Sequence, residues 1–446
     1  MPRRTATLGG NAAITLAAQF AILVLGLVVS ALVARALGPT GRGRYYVPVT
    51  TVMTTFSVLH LSLEMATTYF FAERLVDLRR LARVAATYGL VIGGAGLVVL
   101  AGPWIVAPDG RVGGMRTGDL ALAALALPFV VHSTWMMNLF VLGGRLVRSQ
   151  AAVVLAGVVQ AAALAVLFAL DVLGVTEVLL VYVLNAAVSW GFLAWWSRGF
   201  APPVPTGDRP LLRRVAAYGL RIHPGFVAFF LLLRSDVFLV DGLLGTREVG
   251  IYSVAVLFAE LVGTAAAPMA VAALPFQSVE DEEAAAAVTL RTARICLLVA
   301  AALSVLAAAT LWLVIPALYG PAFGEAYGPL VALLPGVCAM TVVRPLWNWL
   351  LREGRPGRIT AIAAGAFALN LALNAVLLPT VGLYGASVAS TLAYGALATG
   401  LGAWAVRVAG ARPSALLPGR DELAAARRGL AAARGAVASR LGRSAS

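Results

Sequence analysis

The sequence predicts an all-α membrane protein with twelve transmembrane helices arranged as two six-helix lobes. Three observations lead to this prediction. The 446 residues are 61% hydrophobic and only 12% charged, whereas soluble domains are about half apolar and about a quarter charged. Apolar stretches of about twenty residues recur along the chain, each long enough to cross a hydrocarbon core of about 30 Å. A short motif from the first half also returns in the second half.

The apolar stretches define the predicted spans, with short polar connections between them. They cover residues 8–33, 45–71, 84–102, 119–142, 151–170, 177–196, 215–241, 250–275, 293–317, 328–351, 359–378 and 382–406. An even number of spans places both termini on one side of the membrane. Loops on that side hold seventeen arginines, and the opposite loops hold six, Arg42 among them. Because positive loops stay inside, we expect a multi-pass protein of the cell (inner) membrane with both termini in the cytoplasm.

The repeated motif supports two halves of equal size. A shift of 207 residues aligns the two copies without a gap, matching Leu37, Gly38, Gly43 and Tyr45 with Leu244, Gly245, Gly250 and Tyr252. The same shift places Arg145 on Arg352 and Arg148 on Arg355. Halves of six spans have the same orientation, so the predicted relation is a pseudo-two-fold axis along the membrane normal.

The polar segments between the spans define the predicted domains. These are an N-lobe at 1–196, a cytoplasmic linker at 197–214, a C-lobe at 215–407 and a basic cytoplasmic tail at 408–446. The tail mixes alanine, leucine and arginine. Two interpretations of it stay open: an amphipathic helix on the anionic inner leaflet, or a disordered basic segment.

Span seven carries most of the intramembrane charge and is the predicted substrate-binding helix. The spacing of His223, Arg234 and Asp241 returns all three to one face of a helix. Arg221 and Asp236 lie on other faces. Charges inside a membrane are costly and usually face a partner or a water-filled cavity.

Arg234 is the first candidate for binding phosphate, because a planar guanidinium donates two parallel hydrogen bonds to anionic oxygens. The structural alternatives are that Asp236 or Asp241 neutralises Arg234, and that Arg221 only extends to the membrane surface. Arg344 and Asn348, one turn apart in span ten, are further cavity candidates.

Span two contains the predicted coupling residues. His60 and Glu64 are one helical turn apart on one face. Such a pair can relay protons or balance the arginines of a cavity. Asp236 in span seven is the second candidate for ion or proton coupling.

The sequence argues against an enzyme. It contains no nucleophile elbow, phosphate loop or metal-ligand spacing among its three histidines and two cysteines. Cys296 and Cys338 lie in apolar spans, where a thiol behaves as a small buried side chain. We therefore predict no cofactor, no metal and no nucleic-acid partner.

Six short segments carry a family resemblance: Ala34–Pro39, Glu248–Ala255, Leu318–Gly320, Leu369–Asn374, Leu378–Pro379 and Gly382–Ala386. They resemble the polysaccharide-export (Wzx-like) oligosaccharide-lipid flippases of the multidrug/oligosaccharidyl-lipid/polysaccharide (MOP, MATE-like) superfamily. It implies a MATE-like fold and a flippase that moves a polyprenyl-pyrophosphate-linked oligosaccharide between leaflets for surface polysaccharide synthesis. These motifs are mainly structural and assign no binding residue.

The resemblance also implies partners: the lipid-linked oligosaccharide, membrane lipids, and glycosyltransferases or a polymerase of the same pathway. Two other functions stay open. A cation-coupled exporter of small amphiphiles predicts an acidic cavity, whereas the candidates here are mostly arginines. A transport-inactive scaffold that recruits glycosyltransferases through its tail predicts that arginine substitutions in span seven are harmless.

Overall fold

A computed structural model describes residues 8–199, 208–277, 281–419 and 422, with side chains from residue 14 onward. Within these ranges the chain is almost entirely helical. The helices are α1 Leu8–Leu59, α2 Leu63–Ala72, α3 Leu78–Val106, α4 Thr117–Ala124, α5 Leu127–Leu142, α6 Leu146–Ala169, α7 Val175–Ser197, α8 Arg209–Leu243, α9 Thr246–Thr264, α10 Ala267–Gln277, α11 Glu282–Tyr319, α12 Tyr327–Leu350, α13 Pro356–Val381 and α14 Leu383–Val408. A small antiparallel hairpin pairs β1, Arg111–Val112, with β2, Met115–Arg116.

Most of the helices have the dimensions of membrane spans. In the described ranges, nine helical segments are long and apolar enough to cross a bilayer, and the first of them, Ile14–Ala72, is 59 residues long. An α-helical span needs about twenty residues, so this segment has the length of two crossings. The protein is therefore a multi-pass helical membrane protein, as the composition predicts.

α1 contains the first correction to the predicted spans. The sequence predicts an outer loop between residues 33 and 45, but the helix continues through this region and bends at Gly38. Gly38 has φ 63° and ψ −177°, a conformation that side chains disfavour, and Pro39 follows it. The predicted loop is therefore a kink, and the residues after it lie on a packed helix.

The second predicted span is interrupted rather than continuous. α1 ends at Leu59 and α2 begins at Leu63. Between them, Leu61 and Ser62 have positive φ angles of 54° and 48°. Left-handed backbone at a non-glycine residue is unfavourable and persists only where the surroundings enforce it. At the usual rise per residue, the helix between Gly38 and this break is about 30 Å long.

Other boundaries also differ from prediction. Span four is divided into α4 and α5, and span eight into α9 and α10. α3 and α11 begin several residues before the predicted starts at 84 and 293. Residues 209–214, predicted as linker, form the first turns of α8, because Asp208 caps the helix and Pro210 occupies its first turn. Residues 200–207 and the tail beyond 422 lie outside the described residues.

Small residues control the packing of α3. Gly89, Gly93 and Gly96 are buried on one face, and a Cβ on Gly93 would lie 2.6 Å from the Cα of Pro128 in α5. The other face exposes apolar side chains such as Val98 and Val99. Glycines allow membrane helices to approach closely, while the apolar face is suited to lipid. α3 therefore packs on α5 and exposes its other side.

The chain divides into two compact units. Unit 1 comprises 1–258, 310–333 and 356–390, and unit 2 comprises 259–309, 334–355 and 391–446. Unit 1 contains α1 to α8 and has a core around Leu81, Leu127 and Met136. In unit 2, the Gln277 amide donates to Thr289 Oγ1 at 3.0 Å and to Pro345 O at 3.1 Å.

Candidate functional site

α8 is anchored at its first turn. Asp208 accepts a hydrogen bond from the Leu211 amide at 3.3 Å and one from Arg80 Nε at 2.5 Å. The Arg80 guanidinium holds the pKa of Asp208 below its ordinary value, because it stabilises the carboxylate form. The start of α8 is thereby tied to the start of α3.

Two histidines donate hydrogen bonds to backbone carbonyls at the break between α1 and α2. In a continuous helix the amides of Leu61 and Ser62 would donate to the carbonyls of Ser57 and Val58. Here the Nδ1 of His60 lies 3.0 Å from Ser57 O, and the Nε2 of His223 lies 2.8 Å from Val58 O. Because a carbonyl can only accept, both ring nitrogens carry the proton and act as donors. The histidines therefore replace the two missing backbone hydrogen bonds.

His223 can bind and release a proton without losing its partners. Its Nδ1 lies 3.1 Å from the buried hydroxyl of Ser62. A hydroxyl donates to a neutral ring and accepts from a charged one. α8 approaches this position closely, since a Cβ on Gly219 would lie 2.2 Å from Leu61 O. The ring of His223 also packs edge-on against His60, with 5.1 Å between centroids.

His60 and Glu64 are in contact across the break between α1 and α2. The Nδ1 of His60 donates to Ser57, so its Nε2, 3.4 Å from Glu64 Oε1, is the remaining site. This contact is favourable only with a proton on the imidazole nitrogen or on the carboxyl, because two acceptors repel. Asn138 of α5 braces the region by donating to Glu64 O at 2.9 Å. We call His60, Ser62, Glu64 and His223 the histidine cluster.

We expect His223→Ala to lower the free energy of unfolding by about 1–3 kcal/mol, because it leaves the carbonyl of Val58 without its donor. Thermal unfolding of the purified protein measures this change. His223→Gln, which can still donate, serves as the control and is expected to lose less. Equal losses in the two variants would contradict the role of the Nε2 hydrogen bond.

Asp236 lies in a different, fully buried environment on α8. Its carboxylate accepts from the Tyr252 hydroxyl at 2.6 Å and lies 3.4 Å from Ser390 Oγ. The amide of Asn370 in α13 donates to Ser390 at 3.2 Å. The side chain of Asn374 donates to Asn370 in turn. A buried carboxyl among hydroxyl and amide groups is able to exchange a proton or a hard cation.

The other candidates on α8 are spread along its length. Asp241 is partly buried near the end of the helix and accepts from Thr246 Oγ1 at 2.8 Å. The hairpin turn lies beside it, because a Cβ on Gly114 would be 3.0 Å from Asp241 Oδ2. Arg234 is partly buried and Arg221 is exposed. The predicted face of His223, Arg234 and Asp241 therefore has a hydrogen-bonded residue at each end.

Arg344 and Asn348 belong to unit 2, whereas the other candidate residues belong to unit 1. Arg344 is exposed and Asn348 is partly buried. The structure brings His60, Glu64 and His223 together, although the sequence assigns them to two separate roles. Arg344 and Asn348 stay separate candidates.

The repeated motifs contact each other reciprocally within unit 1. A Cβ on Gly43 would lie 1.8 Å from Thr246 O, and a Cβ on Gly250 would lie 1.9 Å from Pro39 O. The shift of 207 residues that aligns Gly43 with Gly250 also aligns Pro39 with Thr246. The glycine of each copy therefore packs against the backbone carbonyl of the other copy, and the two carbonyls belong to equivalent residues. An isologous interface has the same reciprocity. We call this the repeat contact.

Arg42 is the residue that sequence analysis missed. It is predicted in an outer loop, but its side chain is only 5% exposed. Nε donates to Ser253 Oγ at 2.8 Å, Nη1 donates to Ser30 O at 2.9 Å, and the guanidinium lies 5.6 Å from the Tyr319 ring centroid. The repeat indicated that Arg42 is buried, because the equivalent residue of the second copy is the apolar Val249.

Solved structures with a similar fold identify the architecture. An inward-facing multidrug-resistance MATE family transporter of the MOP superfamily superposes with a TM-score of 0.71, at 14% identity over 90% of this chain and 98% of that chain. The chain has the fold of MOP-superfamily transporters. The lipid II flippase MurJ, in an inward closed conformation, shares the MOP fold with a TM-score of 0.67, at 10% identity over 87% of this chain and 86% of the other.

A third structure with the MOP fold is a transporter from Pyrococcus furiosus whose binding pocket is described as having reverse polarity. It has a TM-score of 0.59 and 14% identity, over 89% of this chain and 94% of that chain. Residues 117–327 match a family model described as "Polysaccharide biosynthesis protein". No curated protein sequence matches the chain. The predicted resemblance to MOP flippases is confirmed, and the three solved structures are described as two transporters and a flippase.

Proposed function

We propose that the protein is a flippase that moves a polyprenyl-pyrophosphate-linked oligosaccharide from the inner to the outer leaflet of the cell membrane. The transport proceeds by alternating access and serves surface polysaccharide synthesis. The observation that carries this proposal is that a chain with the MOP fold matches a polysaccharide biosynthesis family and carries a partly buried arginine on the 35-residue helix α8. The proposed partners are the lipid-linked oligosaccharide, membrane lipids, and glycosyltransferases or a polymerase of the pathway.

The proposed architecture has twelve spans in two lobes, related by a pseudo-two-fold axis along the membrane normal. The N-lobe is 1–196, the C-lobe 215–407, and the linker and the tail are cytoplasmic, as are both termini. The reciprocal placement of Gly43 and Gly250 supports this symmetry. The arginine distribution supports the orientation, which places the repeat contact at the outer ends of the spans.

The proposed binding helix is α8, where Arg234 binds the pyrophosphate, flanked by His223, Arg221, Asp236 and Asp241. A guanidinium in a site shielded from water binds phosphate oxygens more strongly than an exposed one. Arg344 and Asn348 in span ten are proposed as further cargo-binding residues.

The proposed coupling sites are the histidine cluster and Asp236. The donor pattern around His60 supports proton coupling, because it leaves one proton shared between His60 and Glu64. The buried hydroxyl environment of Asp236 supports binding of an ion or a proton. A gradient can drive the cycle only if the two conformations differ in affinity for the coupled ion.

Mass spectrometry of polyprenyl-linked saccharides in a strain deleted for the gene tests the proposal. We expect a lipid-linked oligosaccharide to accumulate on deletion and again when the strain expresses Arg234→Ala at normal protein level. Wild type and Arg213→Ala, which changes an exposed arginine at the start of α8, are expected to clear it. No accumulation, together with altered sensitivity to amphiphilic drugs, would favour the cation-coupled exporter. Clearance by Arg234→Ala, with accumulation on tail truncation, would favour the scaffold.

A further inference from the structure

Arg42 is a buried cation with neutral partners. Within the described part of the chain, two of its five N–H donors are used, by the hydroxyl of Ser253 and the carbonyl of Ser30. The face of the Tyr319 ring adds a cation–π contact. None of these groups carries a negative charge that would offset the cost of burying a guanidinium.

Other arginines near the repeat contact are accommodated differently. Arg44 pairs with Asp119, with Nε to Oδ2 at 2.7 Å and Nη2 to Oδ1 at 3.2 Å. Arg247 pairs with Glu325 at 2.7 Å. Arg35 is exposed and donates to the carbonyls of Ala317 and Leu318. Arg42 alone among these four combines burial with neutral partners, in the residues that the structure describes.

The closed repeat contact does not require a charge at this position. The symmetry-equivalent residue is Val249, which is apolar and fully buried. The repeat contact is symmetric in its glycines but asymmetric in charge. An arginine at this position can bind an anion, which Val249 cannot do.

We propose that Arg42 is a second anion-binding site, separate from Arg234, which binds phosphate or pyrophosphate oxygens when the repeat contact opens. This inference rests on the proposed flippase function. Ser30 lies on the same helix as Arg42, whereas Ser253 lies three residues after Gly250 on α9. Separation of the two motifs removes Ser253 from Arg42 and frees its Nε donor, while Ser30 continues to orient the guanidinium.

The exchange is chemically balanced, because a phosphate oxygen accepts the Nε hydrogen bond of Arg42 that the Ser253 hydroxyl accepts in the closed contact. Phosphate neutralises the cation, which the serine cannot do. At the predicted outer end of the spans, this site would hold the headgroup at the stage at which the cargo leaves the protein. Arg234 would act earlier in the cycle.

The test uses full-length protein in nanodiscs titrated with inorganic pyrophosphate, with binding followed by the shift in melting temperature. Gly250→Ala opens the repeat contact, because its Cβ would overlap Pro39 O. In this background we expect Arg42→Gln to weaken pyrophosphate binding about tenfold or more, as expected for loss of charged hydrogen bonds. Arg44→Gln, which removes the same charge two residues away, is expected to leave it within about twofold.

If Gly250→Ala does not yield folded protein, Ser253→Ala replaces it, since it removes the competing hydroxyl and leaves the glycines unchanged. Equal affinities in the Arg42→Gln and Arg44→Gln variants would overturn the inference and leave Arg42 a structural residue. The same titration of Arg234→Gln separates the two proposals. Binding that depends on Arg234 but not on Arg42 overturns only this inference, and pyrophosphate binding to none of the proteins counts against both.

Discussion

Replacing Gly250 with alanine is expected to prevent the repeat contact from closing and to abolish clearance of the lipid-linked oligosaccharide. The new Cβ would lie 1.9 Å from Pro39 O and 2.7 Å from Pro39 C, both backbone atoms that no side-chain rotation can move away. Overpacking of this kind costs about 1–3 kcal/mol. We therefore also expect a lower melting temperature, measured on the purified protein. Gly43→Ala is expected to act in the same way through Thr246 O.

Two glycines of the same membrane protein provide the controls for this experiment. A Cβ on Gly26 in α1 or on Gly242 in α8 would have no neighbouring heavy atom within 4 Å. Alanine at these positions is expected to keep transport and to stabilise the helix slightly, by about 0.5–1 kcal/mol. Wild-type melting temperature and transport in Gly250→Ala would show that the two motifs do not meet as described.

The second large effect is expected from Glu64→Gln. The glutamine amide can donate to the free Nε2 of His60 and so mimics the protonated carboxyl, but it cannot release a proton. We expect proton-driven transport to fall about tenfold or more, within the usual range of coupling free energies. If the pair couples transport to protons as proposed, the remaining activity should also lose its pH dependence. The measurement is the pH profile of transport in proteoliposomes with an imposed proton gradient.

Glu73→Gln is the matched control, because it makes the same chemical change at an exposed position just after α2. Its pH profile should overlay that of the wild type. An unchanged profile in Glu64→Gln would remove the histidine cluster from coupling and leave Asp236 as the remaining candidate. The other titratable group against the pair is His223 of α8, and His223→Gln tests whether it shares the proton.

The sequence predicted a multi-pass helical membrane protein and the proximity of His60 and Glu64, because apolar runs and a spacing of four residues are local signals. The break at Leu61 and Ser62 had no such signal, since neither residue is glycine or proline. The carbonyl of Val58 is satisfied by His223, 165 residues away, and that contact depends on tertiary packing. The 207-residue repeat predicted equivalence between Gly43 and Gly250 but not their reciprocal contact, because a repeat carries no distance information.

The prediction that Arg42 lies in an outer loop was wrong for a related reason. The sequence places Arg42 in an outer loop because it lies between the predicted spans 8–33 and 45–71, and an arginine in a loop is normally solvated. Only Gly38 leaves the helical conformation, so Arg42 remains on a helix that packs. Composition and charge therefore predicted the correct class of protein. Whether a charged residue such as Arg42 is buried depends on the backbone conformation of single glycines such as Gly38.

The interruption at His60–Ser62 also has a mechanical consequence. A continuous span would act as a stiff lever, transmitting any tilt at the Gly38 kink to Ala72. The imidazoles of His60 and His223 replace two backbone hydrogen bonds at this interruption. Side chains therefore hold it together, and one of them, His223, belongs to α8. Tyr69 of α2 stacks on Tyr218 of α8, with 4.5 Å between ring centroids. Side-chain contacts therefore hold α2 to α8, so a tilt of α1 at the Gly38 kink need not be transmitted to α2.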